Sequence, residues 1–237
     1  MEATNFEFRY RFYIICLIFW IGFSCYWIDP QNAAESALTL VGFHSKAALR
    51  LFLGFGALVV ALGAAIRTWA SAYIHTEVVH DMDLHSDRLV ADGPYRYVRN
   101  PLYLGIVLLA AGMGLMASRL GWLFLVAANC VFYLRLALRE EVALAATQGE
   151  SYLAYKRAVP RIIPSFTPRL SSSGRLPRWG QAFLGESFVW ALAVVTLLFA
   201  IAPSGHRTWE LAWIIILGYM AGQLLLRRKK KMGQTQS

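Results

Sequence analysis

Two stretches of this chain carry side chains able to do chemistry. One is the acidic pair Glu140-Glu141, preceded by Arg139. The other is Asp92-Gly93-Pro94-Tyr95-Arg96-Tyr97-Val98-Arg99-Asn100-Pro101-Leu102-Tyr103-Leu104-Gly105. In the second, Gly93-Pro94 signals a turn. Asn100-Pro101 signals a helix start, because Asn is a good N-cap and Pro is favoured at the first helical position. The free N–H groups and positive dipole end of that helix, beside Arg96 and Arg99, form a candidate anion site. The plain alternative is a basic membrane-interface turn with snorkelling arginines. A glutamate offers an acceptor for an ammonium or a ribose hydroxyl. Tyr95, Tyr97 and Tyr103 offer aromatic faces for a cation or an adenine. A zwitterionic, partly cationic ligand would satisfy this set. The alternative for Glu140-Glu141 is a solvated helix end, and the dipole speaks against it, since acids are disfavoured at a helix C-terminus.

The elements that must position these residues are apolar runs. The chain has 237 residues, of which 57% are hydrophobic and 16% charged. That excludes disorder and points to an all-α, polytopic integral membrane protein. Six spans are expected: about Phe12 to Trp27, Ala47 to Ala70, Leu102 to Ala117, Leu120 to Leu138, Ala182 to Ala202 and Trp209 to Leu226. The first could be read as a secretory signal, but no small-x-small cleavage site follows it, so we read an uncleaved span. Gly54, Gly56, Gly63 and Ala64 in the second suit close helix packing. The third and fourth runs are joined only by Ser118-Arg119, which demands a tight helical hairpin. Arg139-Glu140-Glu141 ends the fourth helix in this reading, so Asn100–Tyr103 and Arg139–Glu141 should lie close in space. Residues 142–158 read as an interfacial helix or pair interrupted near Gly149. Pro160, Pro164, Pro168 and Pro177 make a loop.

The net charge of +9 comes mostly from Lys and Arg between or after the apolar runs. This fits orientation by positive loops rather than nucleic-acid binding. It puts both termini, residues 67–101 and residues 139–178 on the cytoplasmic side. The poorer connectors around Asp29, Arg119 and His206 fall on the other. His75, His80 and His85, with Glu77, Asp81, Asp83 and Asp87, resemble a metal cluster, but the five-residue recurrence does not align them on one helical face. We read a solvated connector and no metal. Cys16, Cys25 and Cys130 all lie in apolar segments and read as buried thiols. Gly112-Met113-Gly114 sits within an apolar helix and cradles no phosphate, and no nucleophile elbow is present.

Gly93-Pro94-Tyr95-Arg96-Tyr97-Val98-Arg99-Asn100-Pro101-Leu102-Tyr103-Leu104-Gly105 is followed by Arg139-Glu140-Glu141, by Gly149-Glu150-Ser151-Tyr152 with Tyr155, and by Val159-Pro160-Arg161 with Pro164. This order, over roughly residues 75–166, resembles the isoprenylcysteine carboxyl methyltransferase family, whose wider group includes phospholipid N-methyltransferases. The resemblance implies a membrane enzyme that uses S-adenosylmethionine without a Rossmann domain. It implies a cytosol-facing donor pocket closed by the connector, the turn and the acidic pair. Donor contacts would be the backbone at Leu89 and Val90, then Tyr95, Asn100, Pro101, Leu102, Tyr103 and Glu140. The acceptor would enter sideways from the bilayer. Two departures bear on the acceptor. Asn100 stands where the isoprenylcysteine enzymes usually have His, as in the phosphatidylethanolamine enzymes. Leu136 stands where the eukaryotic carboxyl methyltransferases place a substrate-binding Arg, and Arg135 and Arg139 flank it as candidates for that role.

The sequence reading is therefore one membrane domain over 1–237, with a methyltransferase-like core at 75–166 and an additional helical hairpin at 181–226. Its expected function is methyl transfer from S-adenosylmethionine to a lipophilic or membrane-presented acceptor: a carboxylate, an amine or a thiol. Glu140 would orient the donor, Arg99 would face its anionic part, and Glu141 or a water would take a proton from an amine. The rival is an NADPH-dependent membrane reductase, since sterol reductases also carry an Arg-x-Pro-x-Tyr turn and a paired acid. A third reading is a non-catalytic membrane scaffold. Membrane lipids are the expected surroundings, and the pattern sets no oligomeric state.

Overall fold

A single long helix, α4 (Lys46–Tyr73), forms the spine of the molecule in a computed structural model that describes residues 2–74 and 91–202. Before it come α1 (Asn5–Arg9), α2 (Arg11–Ser24), a 3₁₀ turn at Cys25–Trp27 and α3 (Ala33–Leu40). After it come a 3₁₀ turn at Gly93–Arg96, α5 (Pro101–Gly114), α6 (Arg119–Gln148), α7 (Glu150–Ala158), α8 (Trp179–Gly185) and α9 (Ser187–Ile201). There is no strand among the described residues. Leu89 and Val90, the histidine-rich connector, the sixth expected run and the basic tail lie outside them.

The bundle is that of an integral membrane protein. Along α4, Leu51, Phe55, Leu58 and Leu62 are exposed, while Leu53, Gly56, Ala57, Val60, Gly63 and Ala64 are buried. Both stripes follow helical spacing, and the outward one is as apolar as the inward one. Such a face is stable against lipid rather than water. Inside, α4 packs on α5 and α9 through Leu53, Val60, Leu109, Met113, Ala193 and Ala200. A second cluster joins α2 to α6 through Ile18, Leu125, Phe132, Tyr133 and Leu136. The α4–α5 crossing is close because a Cβ on Gly63 would sit 2.6 Å from the carbonyl oxygen of Gly105. Gly56 faces Gly112 in the same way, whereas Gly54 meets nothing, so two of the three glycines serve packing.

By length and composition α4 and α6 qualify as membrane spans, and α8 with α9 forms one more apolar path bent by 60°. The sequence pattern expects five spans over these residues, and this measure finds two or three. The reason is length: α2 and α5 have 14 residues each, about 21 Å, short of a hydrocarbon core of about 30 Å. A helix the sequence reading did not expect, α3, occupies the first connector, with Asn32 capping it by accepting from Glu35 N at 3.0 Å.

A larger correction concerns α6. It does not stop at Arg139-Glu140-Glu141 but runs to Gln148, because no breaker occurs before Gly149, whose φ is +58°. The acidic pair is therefore inside a helix, and the dipole argument drawn from a helix end does not apply to it. Counting about 20 residues per 30 Å from Arg119 still puts Arg139 where the helix leaves the apolar layer. The tight hairpin stands as expected: Ser118 caps α6 by accepting from Gly121 N at 3.0 Å, and α5 and α6 run antiparallel.

Candidate active site

The hairpin brings the head of α5 against α6 one turn beyond its apolar stretch. There the Tyr103 hydroxyl donates to Glu140 Oε1 at 2.5 Å. The Tyr103 ring lies 5.0 Å from that of Tyr133, centroid to centroid. Tyr133 and Glu140 are seven residues apart, so they share one face of α6. Glu140 is half-buried, and among the described residues Tyr103 is its hydrogen-bond partner. Buried polar atoms without a hydrogen-bond partner include the Tyr95 hydroxyl, the Tyr133 hydroxyl, and Nε and Nη1 of Arg99. Burial holds the Tyr95 phenol well above its ordinary range, with Tyr155 and Glu140 adding to the effect. It is a neutral donor. Orphaned buried donors are rare in native proteins and mark either strain or a missing partner.

Glu141 faces another way. It is 2% exposed and accepts two bonds from Arg161, Nε to Oε1 and Nη2 to Oε2, both at 2.9 Å. Arg99 Nη2 stands 3.5 Å from Oε1 and Lys156 Nζ 3.7 Å from Oε2. That bidentate bond raises the Arg161 pKa further. Three cations thus gather on this carboxylate, which serves as an anchor. What it anchors is the proline-rich segment, which straps the 92–100 turn. Arg99 N donates to Pro160 O at 2.8 Å, Ser165 N to Tyr97 O at 3.0 Å, and Arg169 N to Arg96 O at 2.9 Å. Asp92 accepts from Ser172 Oγ and Ser173 N, both at 2.9 Å, and from Ser173 Oγ. Burial pushes the Asp92 carboxyl up, but these bonds outweigh it and hold the group below its usual range. Tyr152, Tyr155 and Val159 form a small core under the strap, where burial pushes the Tyr152 phenol up to about 12. The Tyr155 hydroxyl donates to Tyr95 O at 2.9 Å.

Other expected residues are placed differently from the reading of them. Pro101 does open α5, but the Asn100 side chain makes no cap bond; its Nδ2 donates to Arg161 O at 3.1 Å. Its cap role passes to the strap because the turn needs fastening there. Arg96 Nε is spent on Leu170 O at 2.7 Å. Arg135 grips Glu7, with Nη2 at 2.8 Å from Oε2. Arg139 donates to Ala3 O at 3.0 Å and to Asn5 Oδ1 at 2.5 Å, and stacks over Phe8 at 5.0 Å. Arg135 and Arg139 therefore fasten the N-terminal segment to α6, because residues four apart share a helix face and α1 lies on that face. Of the expected residues, Tyr103 and Glu140 bond to each other, while Tyr95 and Arg99 keep buried donors without a partner.

The sequence reading passed over Arg67 and Glu186. Arg67 Nε donates to Glu186 Oε2 at 2.7 Å and Nη2 to Oε1 at 3.1 Å, inside the bundle. A signal for both was available, since each is a charge within an apolar run.

Residues 49–150 match the family model described as phospholipid methyltransferase. The matched stretch runs from the first turns of α4 to the start of α7. It includes the turn, the head of α5 and the Glu140-Glu141 pair, and it leaves out the strap and the bent pair α8–α9. No curated protein and no solved structure matches the chain. Over residues 49–150 the chain is thus similar to the phospholipid methyltransferase family, which belongs to the isoprenylcysteine carboxyl methyltransferase-like group of membrane methyltransferases.

Proposed function

We propose that this membrane methyltransferase uses S-adenosylmethionine and methylates a lipophilic or membrane-presented acceptor. The observation that carries the proposal is the Tyr103–Glu140 contact, together with unpartnered buried donors on Tyr95 and Arg99 and the family match across all four residues. The donor set fits such a cofactor. Glu140 suits an ammonium or ribose hydroxyls, and the faces of Tyr103 and Tyr133 suit a sulfonium. The free N–H groups of Arg99 suit a carboxylate. S-adenosylmethionine supplies a methyl group already activated by the positive sulfur.

The chain's own task is then alignment and exclusion of water. Glu140, held by Tyr103, orients the donor. Arg99, held by Glu141 and by its backbone bond to Pro160, presents two N–H groups in a fixed direction. Glu141 acts as a positioning residue through Arg99 and Arg161. The buried phenols of Tyr95 and Tyr133 keep the surroundings of Glu140 polar but neutral. The family's description favours a phospholipid as acceptor, and a short α5 leaves a lateral approach from the bilayer. We place this end of the bundle on the cytoplasmic side, because Arg96, Arg99, Arg135, Arg139, Lys156, Arg157 and Arg161 gather there, opposite Asp29, Glu35 and Arg119.

Thermal unfolding of the purified chain with S-adenosylmethionine or NADPH tests the donor. Protection by the first alone supports the proposal, and protection by NADPH alone turns the reading to the reductase. Incubation with methyl-labelled donor and membrane extract then identifies the acceptor by what acquires the label.

A further inference from the structure

Two charges lie inside the bundle, bonded to each other rather than to Glu140 or the strap. Glu186 is 2% exposed and sits at the bend between α8 and α9, outside the family-matched stretch. Its carboxylate is fully engaged: Oε1 accepts from Ser71 Oγ at 2.6 Å and from Arg67 Nη2, and Oε2 accepts from Arg67 Nε. The third edge of the guanidinium points elsewhere. Arg67 Nη1 donates to the Leu102 carbonyl at 3.2 Å. To get there the Arg67 side chain crosses α5 at Gly105, where a Cβ would overlap its Cγ.

A brace between apolar helices does not need charges, and two leucines would serve at lower desolvation cost. What a rigid guanidinium fork adds is direction. Glu186 fixes two of its N–H groups, and the geometry of the third is then determined. The geometry points to Arg67 and Glu186 as positioning residues that set the first turn of α5, Asn100–Tyr103, against Glu140. The bent C-terminal pair thereby governs affinity for the methyl donor without touching it. This rests on the proposed donor site.

The test uses the full chain in detergent micelles, with donor Kd, donor KM, kcat and Tm measured for four proteins. They are wild type, Glu186→Gln, the double variant Arg67→Leu/Glu186→Leu, and Arg119→Ala, which breaks the Asp29–Arg119 pair at the opposite end. Glu186→Gln keeps the shape and weakens the grip on Arg67. Donor Kd and KM should rise about tenfold while kcat stays within about threefold, the scale of one charge-assisted hydrogen bond. The double variant orphans no charge, so it should keep a Tm near wild type yet show the same loss of donor affinity. Arg119→Ala should leave donor Kd unchanged. Wild-type binding with both bundle variants within about twofold overturns the inference, as does a loss that Arg119→Ala reproduces. If the double variant fails to fold, Glu186→Gln alone decides by the same criterion. A wild-type chain that binds no donor overturns the donor site itself, and the inference with it.

Discussion

Replacing Glu140 by glutamine is the sharpest perturbation of the site. The amide oxygen can still accept from Tyr103, whose hydroxyl now reaches Oε1 at 2.5 Å, so side-chain position and packing are kept. What is lost is the negative charge facing a cationic ligand. A unit pair at 4 Å is worth about 4 kcal/mol at an effective dielectric of 20, before either partner's desolvation is subtracted. A charge-assisted hydrogen bond exceeds a neutral one by roughly 1–2 kcal/mol net. Glu140→Gln should therefore weaken donor binding by about 5- to 30-fold. Titration calorimetry on the full chain in micelles reads this directly. S-adenosylhomocysteine, which lacks the sulfonium charge, locates the contact. A smaller penalty for it than for the donor places Glu140 against the sulfur, and an equal penalty places it against the ammonium or the ribose. Donor Kd within about twofold of wild type, with unchanged Tm, refutes the assignment of Glu140.

Glu141→Leu leaves Arg161 and the buried Arg99 without their counter-ion. It should cost about 3–5 kcal/mol of stability by thermal unfolding, well beyond Glu140→Gln, and a loss under 1 kcal/mol would remove its anchoring role. The depressed Asp92 carboxyl contributes stability that is complete above its unfolded value near 3.8 and is lost as pH falls through the lower folded value. Melting below about pH 4 should thus fall more steeply for wild type than for Asp92→Asn, and parallel curves count against it. Arg135→Ala frees the half-exposed Glu7, whose carboxyl is now held down to about 2 chiefly by that arginine. Proteolysis within residues 2–10 should accelerate while acceptor KM stays put; a raised KM with unchanged proteolysis would return Arg135 to the substrate.

The local signals in the sequence were read correctly where one residue dictates the backbone. Gly93-Pro94 makes the turn, Pro101 opens α5, Ser118 opens α6 and Gly149 breaks it. The approach of Tyr103 to Glu140 followed from the short hairpin alone. What could not be read locally were side chains whose partners are more than 100 residues away. Arg135 finds Glu7, and Arg67 finds Glu186. Asn100 has the right type for a cap, yet the strap offers its Nδ2 the Arg161 carbonyl, and tertiary context wins over propensity. The expected spans and the helices differ for another reason: apolar length in sequence exceeds helical length, since α5 stops at Gly114 and α2 gives way to a 3₁₀ turn at Cys25.

The adjacency of Glu140 and Glu141 follows from helix geometry. Neighbours on a helix point about 100° apart, so the two acids cannot serve one ligand. One is directed at Tyr103 in the bundle, the other at Arg161 in the strap. The same division repeats around the site. Arg139 holds α1, Glu141 holds the strap, and Arg67 holds the bent helix pair through Glu186. Each wall is fastened by a charge with its own partner, and Glu140 is the carboxylate beside them whose partner among the described residues is a neutral hydroxyl. In a nonpolar bundle a charge in that position is expensive unless a cation arrives to meet it. The methyl-bearing sulfonium nucleotide proposed as donor would bring such a cation.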